Sequence, residues 1–179
     1  MNFNIANTLT MLRLFSVVIF LFVYYFFTIN NYIICFYIFL FSSLTDYFDG
    51  YIARKLSQET FLGALLDPIA DKLLVISSLI IILEIYNNCY ISIPIILIIF
   101  REIIILFLRF YLYNQKKHII KVNIYGKLKT TIQLVSNIIL LSVPPLYNIF
   151  NIFGIILLYC SFLLSLLSLF IYIKNYLYK

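Results

Sequence analysis

Apolar residues run along this chain in six long stretches, at about 9–29, 32–52, 61–86, 90–113, 126–143 and 149–173. They are interrupted by Asn30-Asn31, Asn87-Asn88, Pro144-Pro145 and by stretches rich in polar and charged residues. A helix needs about 20 apolar residues to cross the hydrocarbon core of a bilayer, so each stretch suffices for one crossing. The pattern predicts an all-α, polytopic membrane protein with about six transmembrane helices, drawn as a single domain over residues 1–179. With so much of the chain assigned to helices, no length remains for a soluble domain.

Orientation follows from the basic residues. Arg13, Arg54, Lys55, Lys116, Lys117, Lys121, Lys127, Lys129, Lys174 and Lys179 all fall on one side of a six-crossing arrangement, whereas the connections around residues 30, 88 and 147 hold no Lys or Arg. The positive-inside rule therefore places both termini in the cytoplasm. Composition agrees: 64% of residues are hydrophobic and 11% charged, with a mean hydropathy of +1.06, far from the values of a soluble domain. The N-terminus has neither a basic leader nor a small-residue cleavage site, so the first stretch reads as a retained helix. Cys35, Cys89 and Cys160 match no metal or redox spacing and read as apolar filler.

Against this background four carboxylates stand out. Asp46 and Asp49 are spaced i, i+3 near the end of the second helix, and Asp67 and Asp71 are spaced i, i+4 near the start of the third, so each pair shares a helix face. Asp49 precedes Arg54 by five residues and Asp67 follows Thr60 by seven, which puts both roughly 8–10 Å from the connecting loop at about 1.5 Å per residue. The reading is a pocket of four acidic groups at one depth near the cytoplasmic surface. Such groups repel one another strongly unless a cation or proton intervenes. Carboxylate-only ligation suits a hard ion, Mg²⁺ or Mn²⁺, one or two of them, and not zinc, which favours His and Cys. Gly63, one turn before Asp67, and Gly50, beside Asp49, leave room for a bulky ligand or a close helix.

Asp46-Tyr-Phe-Asp49-Gly50-Tyr-Ile-Ala53-Arg54, then eight residues to Gly63, three to Asp67 and three to Asp71, resembles the signature of the CDP-alcohol phosphatidyltransferases at every fixed position. The likeness continues in Asn4 to Thr10 with Arg13, in Leu66 to Lys72, in Arg101 to Ile104 with Arg109, and in Gly126 to Thr131 followed by Gln133. These further segments resemble the branch whose acceptor is sn-glycerol 3-phosphate. The likeness spans roughly residues 3 to 140 and leaves the last helix without a motif.

The resemblance implies an enzyme that joins CDP-diacylglycerol to sn-glycerol 3-phosphate and releases CMP. It implies Asp46, Asp49, Asp67 and Asp71 as metal ligands and Asp71 as general base. Asn7, Thr8, Gly50, Arg54 and Thr60 are implied for the CDP-diacylglycerol headgroup. An acceptor carrying its own phosphate requires a second cationic site, for which Arg101, Arg109, Lys127 and Lys129 are the candidates. Lys127 and Lys129 stand about 200° apart on a regular helix, so one of them points inward, and the spacing does not choose between them. A homodimer in a bacterial or organelle inner membrane, with the site facing the cytoplasm, is also implied; membrane lipids are partners and nucleic acid is not.

Two other readings compete. The aspartate signature serves equally for acceptors such as inositol phosphate, serine or phosphatidylglycerol, and only the Arg101-to-Gln133 features favour glycerol phosphate. A membrane ion transporter would also place carboxylates among helices, but it calls for charge distributed across the bilayer. Here the acidic cluster is confined to the cytoplasmic third.

Overall fold

The computed structural model describes the backbone of residues 5–27, 31–56, 61–114, 124–142 and 148–177, and side chains over 11–27, 31–45, 69–108, 110–111, 126–142 and 148–174. All regular structure among them is helical. The order is α1 (Ile5–Phe26), α2 (Asn31–Leu56), α3 (Phe61–Tyr86), α4 (Cys89–Asn114), α5 (Ile124–Ser142) and α6 (Ile149–Leu177). The six helices fall where the apolar stretches lie. Cys89–Leu108 and Ile149–Lys174 are long and apolar enough to cross a membrane, with Met11–Phe26 and Asn31–Thr45 as shorter apolar segments.

Asparagines make the breaks. Asn31 opens α2 by accepting the Tyr32 N–H on its Oδ1 at 2.8 Å, while its Nδ2 donates to the Tyr24 carbonyl of α1 at 3.1 Å. At the end of α3, Asn87 takes a left-handed conformation with φ of 38°, and its N–H donates to the Leu83 carbonyl at 3.0 Å. Asparagine tolerates that region better than most side chains. Asn88 then starts α4: its carbonyl accepts from Ile91 and Ser92, and its Oδ1 accepts from Tyr90 N–H at 3.1 Å, an N-cap arrangement. At the start of α6 the Asn148 carbonyl likewise accepts from Asn151 and Ile152 N–H.

The chain divides into two compact units, Met1–Ile81 and Ile82–Lys179. In the first, α1 packs on α2 through Val17, Phe20 and Val23 on one side and Cys35, Phe39 and Ser42 on the other, all buried. The Phe20 and Phe39 rings meet with centroids 6.3 Å apart. In the second, α6 packs on both α5 and α4.

The buried face of α6 is Asn151, Gly154, Leu158, Ser161, Ser165, Ser168 and Tyr172. Their spacing alternates three and four residues without a break, the repeat of a seam between close helices. Small residues dominate it because, among lipid-facing helices, association depends on backbone approach more than on expelling water. Ser161, Ser165 and Ser168 donate to carbonyls three residues back in α6 itself. Ser136 of α5 donates to the Gly154 carbonyl at 2.9 Å. Around these seams the outward positions are large and apolar, among them Phe100, Phe107, Phe150, Phe153 and Phe170.

Pro94 lies inside α4. Proline has no N–H, so the carbonyl four residues earlier, that of Tyr90, loses its helical donor. The Tyr159 hydroxyl of α6 donates to that carbonyl at 2.7 Å. Together with the Arg101–Ser168 bond described below, this fixes α4 and α6 as parallel.

A Cβ on Gly154 would stand 2.9 Å from Leu140 Cδ2 and 3.0 Å from Ile139 Cγ2 of α5. Gly154→Leu is expected to destabilise by about 1–3 kcal/mol, as overpacked interiors do, and Gly154→Ala by less because the Leu140 tip can turn aside. Thermal unfolding of both variants in detergent measures the order.

Candidate active site

The helical backbone of α2 runs through Asp46 and Asp49, and that of α3 through Asp67 and Asp71, so the i, i+3 and i, i+4 spacings do place each pair on one helix face. Of the four, only Asp71 has its side chain among the described residues. The side chains of Asn7, Thr8, Asp46, Asp49, Gly50, Arg54, Asp67 and Arg109, and the whole of Thr60, lie outside them. No group of three potential ligating side chains occurs among the described residues. The donor set itself, four carboxylates with no sulfur or imidazole, fits a hard divalent cation.

Asp71 forms an ion pair with Arg13 of α1, whose Nη1 donates to Oδ1. The Arg13 side chain is 8% exposed and that of Asp71 is 42% exposed. The pair thus joins a buried cation to a partly exposed carboxylate. Within α1 the Arg13 carbonyl accepts from Ser16 Oγ at 2.7 Å. A guanidinium beside a carboxylate fixes the orientation of both, because the planar fork presents its donors in a set geometry.

The second unit carries a different constellation. Arg101 of α4 is 7% exposed, Glu102 beside it 1%, and Lys129 of α5 0%. A single oxygen, Glu102 Oε1, accepts from Arg101 Nη1 at 2.9 Å and also from Lys129 Nζ. Arg101 Nη2 donates to Ser168 Oγ of α6. Three helices are thereby tied through one charged group. Gln133, one turn beyond Lys129 on α5, is buried on the same face. Of the two lysines that spacing left open, Lys129 points inward and Lys127 is exposed.

Ser168 is the residue whose part in this arrangement the pattern of motifs did not assign, whereas Glu102, beside Arg101, reads from the residues as an orienter of that arginine. Glu102 was visible as an acidic residue within an apolar run. Ser168 belongs to the three–four seam of α6, a signal that counts only when small polar residues are read as packing positions.

Truncating Lys129 takes from Glu102 one of its two cationic partners and leaves a cavity where a fully buried stem packs. Lys129→Ala is expected to destabilise by about 3–5 kcal/mol, whereas Lys127→Ala leaves the unfolding transition in place; thermal melts of the two variants in the same detergent provide the comparison.

The family model for CDP-alcohol phosphatidyltransferase matches residues 3–167. A protein of Wigglesworthia glossinidia brevipalpis named CDP-diacylglycerol–glycerol-3-phosphate 3-phosphatidyltransferase is 41% identical over 170 residues, covering 94% of this chain and 92% of the relative. Relatives of the same name from Yersinia enterocolitica and Pectobacterium atrosepticum are 37% and 36% identical over 175 residues, covering 97% of this chain and 95% of theirs. By this near full-length match, and by the aspartate spacing that α2 and α3 carry, the chain belongs to the CDP-alcohol phosphatidyltransferase family.

Proposed function

We propose that this membrane protein transfers the phosphatidyl group of CDP-diacylglycerol to sn-glycerol 3-phosphate, giving phosphatidylglycerol phosphate and CMP. The observation that carries the reading is the likeness, across almost the whole of both chains, to relatives named for that reaction. The apolar helices support a place in the membrane. The basic residues at alternate helix ends support six spans with both termini and the site at the cytoplasmic face of an inner membrane. The family resemblance adds a homodimer.

In this reading the glycerol hydroxyl attacks the lipid-side phosphorus, a new P–O bond forms, the bond to the CMP oxygen breaks, and the hydroxyl proton passes to Asp71. The family is generally dependent on a divalent metal. Asp46, Asp49 and Asp67 would hold Mg²⁺ or Mn²⁺, with Asp71 shared or adjacent. When bound, such an ion neutralises the pyrophosphate and stabilises the departing oxygen. Arg13 keeps the Asp71 carboxylate in one orientation for the proton transfer. A carboxylate is a weak base towards an alcohol, and transfer concerted with attack suits it.

The Arg54 fork would bind phosphate oxygens of the CDP headgroup, with Gly50 leaving space and Asn7, Thr8 and Thr60 completing the contacts. The acceptor's own phosphate falls to Arg101 and Lys129, with Arg109 and Lys127 as the remaining cations of that group.

Purified protein supplied with Mg²⁺ and CDP-diacylglycerol should release CMP with sn-glycerol 3-phosphate and not with inositol phosphate, serine or phosphatidylglycerol. Chelation should abolish release and added Mg²⁺ or Mn²⁺ restore it. Release with a different acceptor alone would reject the assignment. Asp71→Asn should lower turnover by about 10²–10⁴-fold, the range general-base removal commands, while nucleotide binding stays measurable by calorimetry; near-normal turnover would take Asp71 out of the mechanism.

A further inference from the structure

The trio of Arg101, Glu102 and Lys129 contains two cations and one carboxylate, and both cations are bound to the same oxygen. Stability alone gives little reason for such a group, since apolar side chains of similar volume hold buried positions at least as well. The geometry of Arg101 is also unusual. Neighbouring residues on a helix diverge by about 100° and do not normally face each other. Here the Arg101 guanidinium nevertheless reaches Glu102 with one terminal nitrogen and Ser168 with the other. Two bonds at opposite corners of a planar group fix both its position and its plane. Lys129, whose flexible stem carries rotamer freedom of its own, is brought to the same point by the oxygen that holds Arg101.

We infer that Glu102 is a positioning residue: its carboxylate, with Ser168 of α6, holds Arg101 and Lys129 side by side as one preassembled cationic receptor for the phosphate of the acceptor. This inference rests on the proposed reaction and deepens it. Without the carboxylate between them the two cations repel, and the guanidinium and ammonium drift apart. Binding an anion then has to reassemble them, which weakens affinity for the acceptor in the ground state and the transition state alike. A loss of that kind raises KM and spares kcat. It leaves the CDP-diacylglycerol side untouched, because that substrate is assigned to residues of the other unit. Glu102 acts on the two cations and not on the phosphate, since a carboxylate in contact with phosphate oxygens would repel them.

Steady-state CMP release by the full chain in detergent, with each substrate varied in turn, tests this. Glu102→Gln should raise KM for sn-glycerol 3-phosphate at least tenfold, change kcat by no more than about threefold, and leave KM for CDP-diacylglycerol where it was. Glu102→Asp, which restores the charge on a shorter arm, should recover most of the loss, and Ser168→Ala should raise the acceptor KM by a smaller factor. If Glu102→Gln does not fold, Ser168→Ala still decides the matter: the acceptor KM rises selectively in it, or the inference is wrong. A fall in kcat at constant KM, or a parallel rise in both KM values, would reduce the trio to a structural support and overturn it. Failure of the underlying reading is seen separately, in wild-type protein that releases no CMP with sn-glycerol 3-phosphate. Should the wild type use another phosphate-bearing acceptor instead, the same selective rise in that acceptor's KM tests Glu102 there.

Discussion

Among helices whose outward positions are largely isoleucine, leucine and phenylalanine, a polar atom that turns away from its partner cannot fall back on water. Most of the informative contacts in this protein are answers to that constraint. Arg13 is buried with Asp71, Arg101 and Lys129 with Glu102, and the serines of α6 with carbonyls of their own helix. Each solution costs side-chain freedom and returns a fixed orientation. For a protein that handles phosphate groups, fixed cations and fixed carboxylates are the useful product of that exchange.

The two units apply the constraint differently. In the first, a buried guanidinium steadies a partly exposed carboxylate. In the second, a buried carboxylate steadies two cations, an arrangement suited to receiving an anion.

Much of this was legible in the residues. The six helices could be placed because runs of apolar residues and the Asn30-Asn31 and Asn87-Asn88 breaks are strong signals, and Asn87 and Asn88 do end α3 and start α4. The pairing of aspartates on helix faces followed from spacing alone. Two things were not legible. Whether Lys127 or Lys129 turns inward depends on where α5 sits against its neighbours, and helical periodicity fixes only the angle between them. The importance of α6 escaped because serine is a weak signal in any hydropathy reading. Ser161, Ser165 and Ser168 look like interruptions of an apolar run, yet together with Gly154 and Leu158 they are the face on which α4 and α5 pack. The specific pairs, Arg13 with Asp71 and Lys129 with Glu102, join residues far apart in the chain, and nothing local could have selected them.

The tyrosine that covers the carbonyl exposed by Pro94 has a mechanical meaning. Tyr90 is joined to Tyr159 and Arg101 to Ser168, so α4 and α6 are riveted at two points about 16 Å apart along one helix and about 13 Å along the other at 1.5 Å per residue. A pair of parallel rods fastened twice cannot slide, and tilting one against the other would strip a bond at either rivet. The guanidinium on α4 therefore inherits its height in the membrane from a helix that bears no motif at all.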